Sequence, residues 1–254
     1  MQYQIIFLGN AGSGKTSLAY SFNHWLKETI GAPIESIVCN LDPASETFPY
    51  KPDFDIRKYF DAKEIMIKEG LGPNGAILRS IELMEKNLQV WIKEISKLKS
   101  DFRVYDTPGQ LETLLYHESG PRLLSMLCQK NRTVGVFLVE AKLANDPVSL
   151  VTLLMQATIT KVRLDLPIVL AISKADITVR EDLDRLISDN NYLLEAVNKE
   201  GKGGQKDTAL LLCRAFSQIP WIQRTVKVSS FTKTGFNDLY EINNEVSCAC
   251  GDLS

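Results

Sequence analysis

The run Gly9-Asn10-Ala11-Gly12-Ser13-Gly14-Lys15-Thr16 constrains what this chain can fold into more than any other stretch. A short apolar run, Ile5 to Leu8, precedes it, and Leu18, Phe22, Trp25, Leu26 and Ile30 follow at helical spacing. The local order is strand, glycine-rich turn, helix, which is the setting the pattern G-x-x-x-x-G-K-S/T requires. Glycines there let the backbone close around a polyphosphate that a Cβ would push away. Successive N–H groups and the positive end of the following helix then face the anion. Lys15 is expected to reach the β- and γ-phosphates and the Thr16 hydroxyl to ligate Mg²⁺. The alternative is a merely structural glycine turn. The expectation is a protein that binds a nucleoside phosphate.

A chain of 254 residues accommodates one large α/β domain or one domain with an inserted part. With 44% hydrophobic and 24% charged residues it suits a globular protein with an ample core. The formal net charge of −2 gives no electrostatic reason to expect nucleic-acid or membrane binding. Cys39, Cys128, Cys213, Cys248 and Cys250 show no C-x-x-C spacing, so buried reduced thiols in a cytoplasmic protein are expected. Metal binding or oxidation at Cys248-Ala249-Cys250 is the alternative. The first strand starts almost at Met1, which leaves no room for a signal peptide, and no apolar run approaches membrane-spanning length.

Further along, Ile34 to Leu41 reads as a strand running into Asp42-Pro43, and Pro43 disfavours helix at Asp42. The carboxylate then sits at a strand end, where ligands lie in doubly wound sheets. Residues 44–52 have loop chemistry, and 55–68 look partly helical. Ile77, Ile81, Met84, Leu88, Trp91, Ile95 and Leu98 form a stripe on one long helix, facing the core or a partner helix. Strands are expected at 102–105, 134–139, 167–172 and 226–229, and helices at 148–159 behind Pro147 and at 236–246. The segment 181–214 is helical but broken at Gly201-Lys202-Gly203-Gly204. Strands alternating with helices predict an α/β fold: a doubly wound, mainly parallel sheet with helices on both faces. One domain, with helical insertions around 55–98 and 181–224, is the expected organisation.

Asp106-Thr107-Pro108-Gly109 ends a hydrophobic strand downstream of the phosphate loop. In nucleotide hydrolases a carboxylate there holds Mg²⁺ and the glycine N–H senses the γ-phosphate. An ordinary strand-to-loop turn is the alternative. Gln110 and Glu112 follow where a hydrolase needs groups to orient water, and Asp42 is a third candidate. Ser173-Lys174-Ala175-Asp176 resembles the guanine-reading Asn-Lys-x-Asp, with Ser in place of Asn. The Asp176 carboxylate can accept two guanine hydrogens that adenine cannot offer. The Lys174 stem can pack over the base, and Ser229-Ser230 can offer backbone N–H groups to guanine O6. Gly72-Pro73-Asn74-Gly75 suits a tight turn with Asn74 as the cap of the long helix.

The phosphate loop, Asp42-Pro43, Gly72-Pro73-Asn74, Asp106-Thr107-Pro108-Gly109-Gln110-x-Glu112 and Ser173-Lys174-x-Asp176, in this order, together resemble the GPN-loop GTPases. The resemblance implies a P-loop NTPase fold and Mg²⁺-dependent GTP hydrolysis to GDP and phosphate. It implies nucleotide contacts from Gly12, Ser13, Gly14, Lys15, Thr16, Ser17, Gly109, Ser173, Lys174, Asp176, Ser229 and Ser230. Thr16, Asp106 and Asp42 would serve the metal, and Lys15, Asp42, Gln110, Glu112 and Asn74 catalysis. It also implies a homodimer of the archaeal type, in which Gly72, Pro73 and Asn74 reach toward the partner's nucleotide, acting as a switch or assembly factor. Eukaryotic relatives of that family serve in RNA polymerase assembly. Three other classes share the phosphate loop. A kinase-type phosphotransferase usually has an arginine-rich lid, whereas 181–214 holds only Arg185 and Arg214. A partitioning-type dimeric ATPase places a lysine early in its phosphate loop, where this chain has Asn10-Ala11. A module that binds without turnover does not need Gln110 and Glu112.

Overall fold

The computed structural model describes residues 2–29, 34–46, 50–129, 131–177, 180–216 and 225–249. Its centre is a seven-stranded sheet: β1 (Tyr3–Gly9), β2 (Ser36–Asn40), β3 (Phe54–Asp55), β4 (Phe102–Asp106), β5 (Arg132–Glu140), β6 (Ile168–Ser173) and β7 (Thr225–Lys227). The spatial order is β3-β2-β4-β1-β5-β6-β7, and every adjacent pair is parallel. This is the α/β architecture that the alternation of strands and helices predicted. The two-residue β3 is too short to leave a periodic signal.

Alternation along β1 assigns its side chains to two cores. Ile5 and Phe7 pack with Leu18, Phe22, Trp25 and Leu26 of α1 (Lys15–Thr29) and with Phe236 and Leu239 of α12 (Phe236–Ala249). Ile6 and Leu8 face the opposite core, built from the remaining large helices. A sheet apolar on both faces explains the uninterrupted apolar runs of β5 and β6.

The stripe from Ile77 to Leu98 lies on two helices, α3 (Pro73–Lys86) and α4 (Leu88–Lys97), rather than one. Asn87 separates them: its side-chain amide and its backbone N–H both donate to Leu83 O, ending α3. Trp91 then closes over the joint, its indole N–H donating to Met84 O at 2.9 Å. The stripe is core, since Ile77, Ile81, Met84, Leu88, Trp91 and Ile95 are all buried. A second correction concerns the cap of α3. Gly72 occupies that position, Pro73 is the first helical residue, and Asn74 lies within the first turn. Proline is favoured at the first helical position because the N–H it lacks has no partner there.

The rest of the chain adds α2 (Ala62–Glu69), α5 (Leu111–Leu115), α6 (Ser119–Cys128), α7 (Ala141–Ala144) and α8 (Pro147–Leu164). The helical segment beyond residue 181 comprises α9 (Leu183–Ser188), α10 (Asn190–Glu200) and α11 (Gly203–Phe216). Its break falls at Gly201-Lys202, and Gly203 and Gly204 open α11. Cys39 and Cys213 are buried free thiols and Cys128 is half-buried, while Cys248 and Cys250 lie outside the described side chains. Among the described residues no helix is long and apolar enough to cross a membrane.

Register brings the carboxyl ends of the central strands level. Asn40 and Phe7 both pair with Asp106, Gly9 pairs with Leu138, and Glu140 with Ser173. The chain fills the sheet on one side of β1 and then crosses to the other through β5. Such a reversal opens a crevice at the strand ends, where ligands bind in open α/β sheets.

Candidate active site

The turn after β1 opens that crevice. Gly9 has φ +139°, and a Cβ there would lie 2.7 Å from Leu138 O, so only glycine lets β5 come so near. The Lys15 ammonium folds back over the loop and donates to Gly9 O at 2.8 Å and Asn10 O at 2.9 Å. Burial lowers its pKa, while the charges of Asp106 and Asp42 hold it up. On the far side Asn10 Nδ2 donates to Gln156 Oε1 of α8 at 2.9 Å, tying the loop to a helix the motif does not include.

Asp106, the last residue of β4, is fully buried, and neither carboxylate oxygen accepts a well-formed hydrogen bond. Burial pushes its pKa up to about 7; the Thr16 hydroxyl and Lys15 pull it down and the Asp42 charge adds to the rise. The Ser13 hydroxyl is likewise buried without a partner. A carboxylate enclosed without hydrogen bonds is costly unless a bound group completes it. Asp106 and Thr16 offer hard oxygen donors, which suits Mg²⁺ held by one carboxylate, one hydroxyl, phosphate oxygens and water. Among the described residues no cluster of three or more His, Cys, Asp or Glu is arranged for a metal, so protein groups alone would not fill such a coordination shell.

Asp42 follows β2 and is half-buried. Burial raises its pKa, and the Ala44 and Gly109 backbone N–H groups, with the charges of Lys15 and Arg57, oppose that rise. Three residues absent from the sequence expectations fix the loop it starts. Asn40 Oδ1 accepts from Asp42 N at 2.9 Å, while its amide donates to Asp42 O and to Asp55 Oδ1. Arg57 grips the Asp55 carboxylate and donates to Ser45 O at 2.7 Å. No local pattern marks Arg57, because its partners are brought together only by the pairing of β3 with β2.

The turn after β4 is pinned by Thr107 Oγ1, which donates to Phe7 O at 2.6 Å. Gln110 then takes the cap position of the short helix α5. Glu112 lies on the exposed face of its first turn. Gln110 Nε2 donates to Asn74 Oδ1 at 2.9 Å, which brings the Gly72-Pro73-Asn74 turn to the site's edge within one chain. All three residues of that turn are exposed.

The fourth side of the crevice is the turn after β6. Ser173 Oγ donates to Ser13 O at 2.7 Å, which couples this turn directly to the phosphate loop. Lys174 has φ +56°, and its ammonium pairs with Glu140 at 3.2 Å. Asp176 is exposed and has no hydrogen-bond partner among the described residues. Ala175 N donates to Val228 O, joining this turn to the one after β7. There the Ser229 N–H donates to Thr234 O at 3.1 Å, so it is engaged within its own turn.

A strand-end crevice with a phosphate loop, an enclosed aspartate and two joined turns after β6 and β7 defines a P-loop nucleotide-binding protein. The family model described as "Conserved hypothetical ATP binding protein" matches residues 7–249. GPN-loop GTPase PAB0955 of Pyrococcus abyssi is 31% identical, the match covering 98% of this chain and 99% of that protein. GPN-loop GTPase 1 of Dictyostelium discoideum is 30% identical over 93% of this chain and 59% of its own length. The crystal structure of the Pyrococcus GTPase in apo form superposes with a TM-score of 0.84, at 29% identity and 98% coverage of both chains. The chain belongs to the GPN-loop GTPase family.

Proposed function

We propose that this chain hydrolyses GTP to GDP and phosphate with Mg²⁺, and that it works as a homodimer in which nucleotide state sets conformation. The observation that carries the reading is the Asp106 carboxylate, enclosed beside Lys15 and Thr16 with no well-formed hydrogen bond to either oxygen. Thr16 and Asp106 would hold the ion, which supplies charge that offsets the phosphates. Lys15 exchanges the carbonyls of Gly9 and Asn10 for phosphate oxygens, and the Gly109 N–H turns from Asp42 to the γ-phosphate. Asp42, Gln110 and Glu112 border the space a water needs for in-line attack, and the two carboxylates can accept its proton. Asp176 selects guanine by its paired hydrogens. The names of the relatives support GTP, whereas the family model's description names ATP. Exposure of Gly72, Pro73 and Asn74 supports a role toward a second copy.

The test is phosphate release with GTP or ATP, each with Mg²⁺ or with chelator, alongside the mass in solution. Release from GTP alone, dependent on Mg²⁺, and a dimer mass are expected. Glu112→Ala should then slow turnover by roughly 10²-fold at little cost in GTP affinity. Equal turnover of ATP removes the guanine assignment, and a monomer that turns over at full rate removes the dimeric one.

A further inference from the structure

Phe231 is 87% exposed, more than any other large hydrophobic side chain among the described residues. Its exposure does not come from a loose loop. Ser229 Oγ, fully buried, accepts from both Phe231 N and Thr232 N, at 3.2 and 3.1 Å. The Thr232 and Thr234 hydroxyls bond each other at 2.8 Å, and Thr234 O takes the Ser229 N–H. At Gly235, φ is +74° and a Cβ would fall 1.8 Å from Lys227 O, so the turn closes hard against the end of β7. A rigid turn therefore holds a phenyl ring out in water. Water is a poor partner for a ring that can bury well over 100 Å² of apolar surface.

What lies next to it decides the occupant. The Ala175 N–H bond to Val228 O and the Val228 N–H bond to Ile172 O fasten this turn to the Ser173–Asp176 turn. Ser173 in turn bonds Ser13 of the phosphate loop. Anything anchored by its phosphates at Lys15 and read by Asp176 extends along these turns. We propose that Phe231 is a stacking platform for the purine of the bound nucleotide, leaving the base edge to Asp176. Every base has a π-face, so such a platform adds affinity without choosing among bases. The inference rests on the nucleotide reading given above.

The experiment is calorimetric titration of GDP and of inorganic pyrophosphate, both with Mg²⁺, into wild type, Phe231→Ala and Phe231→Tyr. Phe231→Ala should bind GDP about tenfold more weakly, the order that base–aromatic stacking carries, with pyrophosphate affinity unchanged. Phe231→Tyr should restore GDP binding, since it keeps the ring. An unaltered GDP affinity in Phe231→Ala overturns the proposal. Equal losses for GDP and pyrophosphate overturn it too, because the substitution then disturbs the phosphate loop. A change confined to the mass in solution assigns the ring to contact with a second copy instead. Wild type that prefers ADP overturns the guanine reading alone, and the same variants then read the stack with ADP.

Discussion

Gln110 Nε2 and Asn74 Oδ1, 2.9 Å apart, join the turn after β4 to the first turn of α3 within a single chain. The pair leaves the Asn74 amide nitrogen for another partner, since only its oxygen is used. It also makes Asn74→Asp a sharp test. Aspartate still accepts from Gln110, and its charge suits a helix start. Melting should therefore be unchanged or slightly raised. Turnover should fall at least about tenfold if the amide nitrogen meets phosphate, because the replacement brings negative charge to that position. Mixing Asn74→Asp with Lys15→Ala chains asks which subunit's phosphate that is. If Asn74 acts across a dimer, mixed dimers regain activity, since one site then has both an intact Lys15 and an intact partner Asn74. Absence of recovery in confirmed heterodimers confines the contact to one chain.

Asp106→Asn separates function from stability. The carboxylate is enclosed without a well-formed hydrogen bond, so in chelator it costs the fold stability. Replacing it with a neutral amide should leave the nucleotide-free protein more stable by about 1 kcal/mol above neutral pH, read as a higher melting temperature. Phosphate release should drop by 10²-fold or more, on the order expected for losing a charge-stabilising group. Lower stability of Asp106→Asn in chelator would show that Asp106 is instead satisfied in solution.

Motifs and strands were legible because each is local. The phosphate loop carries its own backbone instructions, and β5 and β6 announce themselves as apolar runs buried on both faces. The α3–α4 break was not legible, because the stripe keeps its phase across Asn87 and only the Leu83 and Met84 hydrogen bonds reveal the joint. Asn74 suits a cap by residue type, yet Gly72 takes the position because Pro73 starts the helix. Arg57, Asn40 and Gln156 were invisible for a common reason: each acts through a partner separated in sequence and adjacent only after the sheet forms. Phe231 carries one local mark, an aromatic immediately after Ser229-Ser230.

Asp176→Asn addresses base choice without touching the phosphates. An amide offers one acceptor and one donor where the carboxylate offers two acceptors. GDP affinity should fall by about tenfold or more while xanthosine diphosphate gains, since its extra carbonyl can accept from the new amide. Pyrophosphate titration serves as the control and should not move. Unchanged GDP affinity sinks the assignment of Asp176 to the base.

The loop that starts at Asp42 gives a last test, through Arg57. Its guanidinium is held by both Asp55 oxygens and donates to Ser45 O at 2.7 Å, so one side chain bridges β3 and the loop. Asp55 also receives the Asn40 amide, and Asn40 accepts the Asp42 N–H. Removing Arg57 therefore frees Ser45 and weakens the chain of bonds that orients Asp42. In Arg57→Ala, amide exchange at residues 44–46 should accelerate, and turnover should fall about tenfold if Asp42 serves the attacking water. GDP affinity should stay near wild type, because neither Arg57 nor Ser45 belongs to the phosphate loop. Arg57→Lys should recover little, since an ammonium cannot reproduce the planar fork that meets both Asp55 oxygens and a carbonyl together. Faster exchange with normal turnover would mean that the loop's order is structural, and Asp42 would then lose its claim to the water.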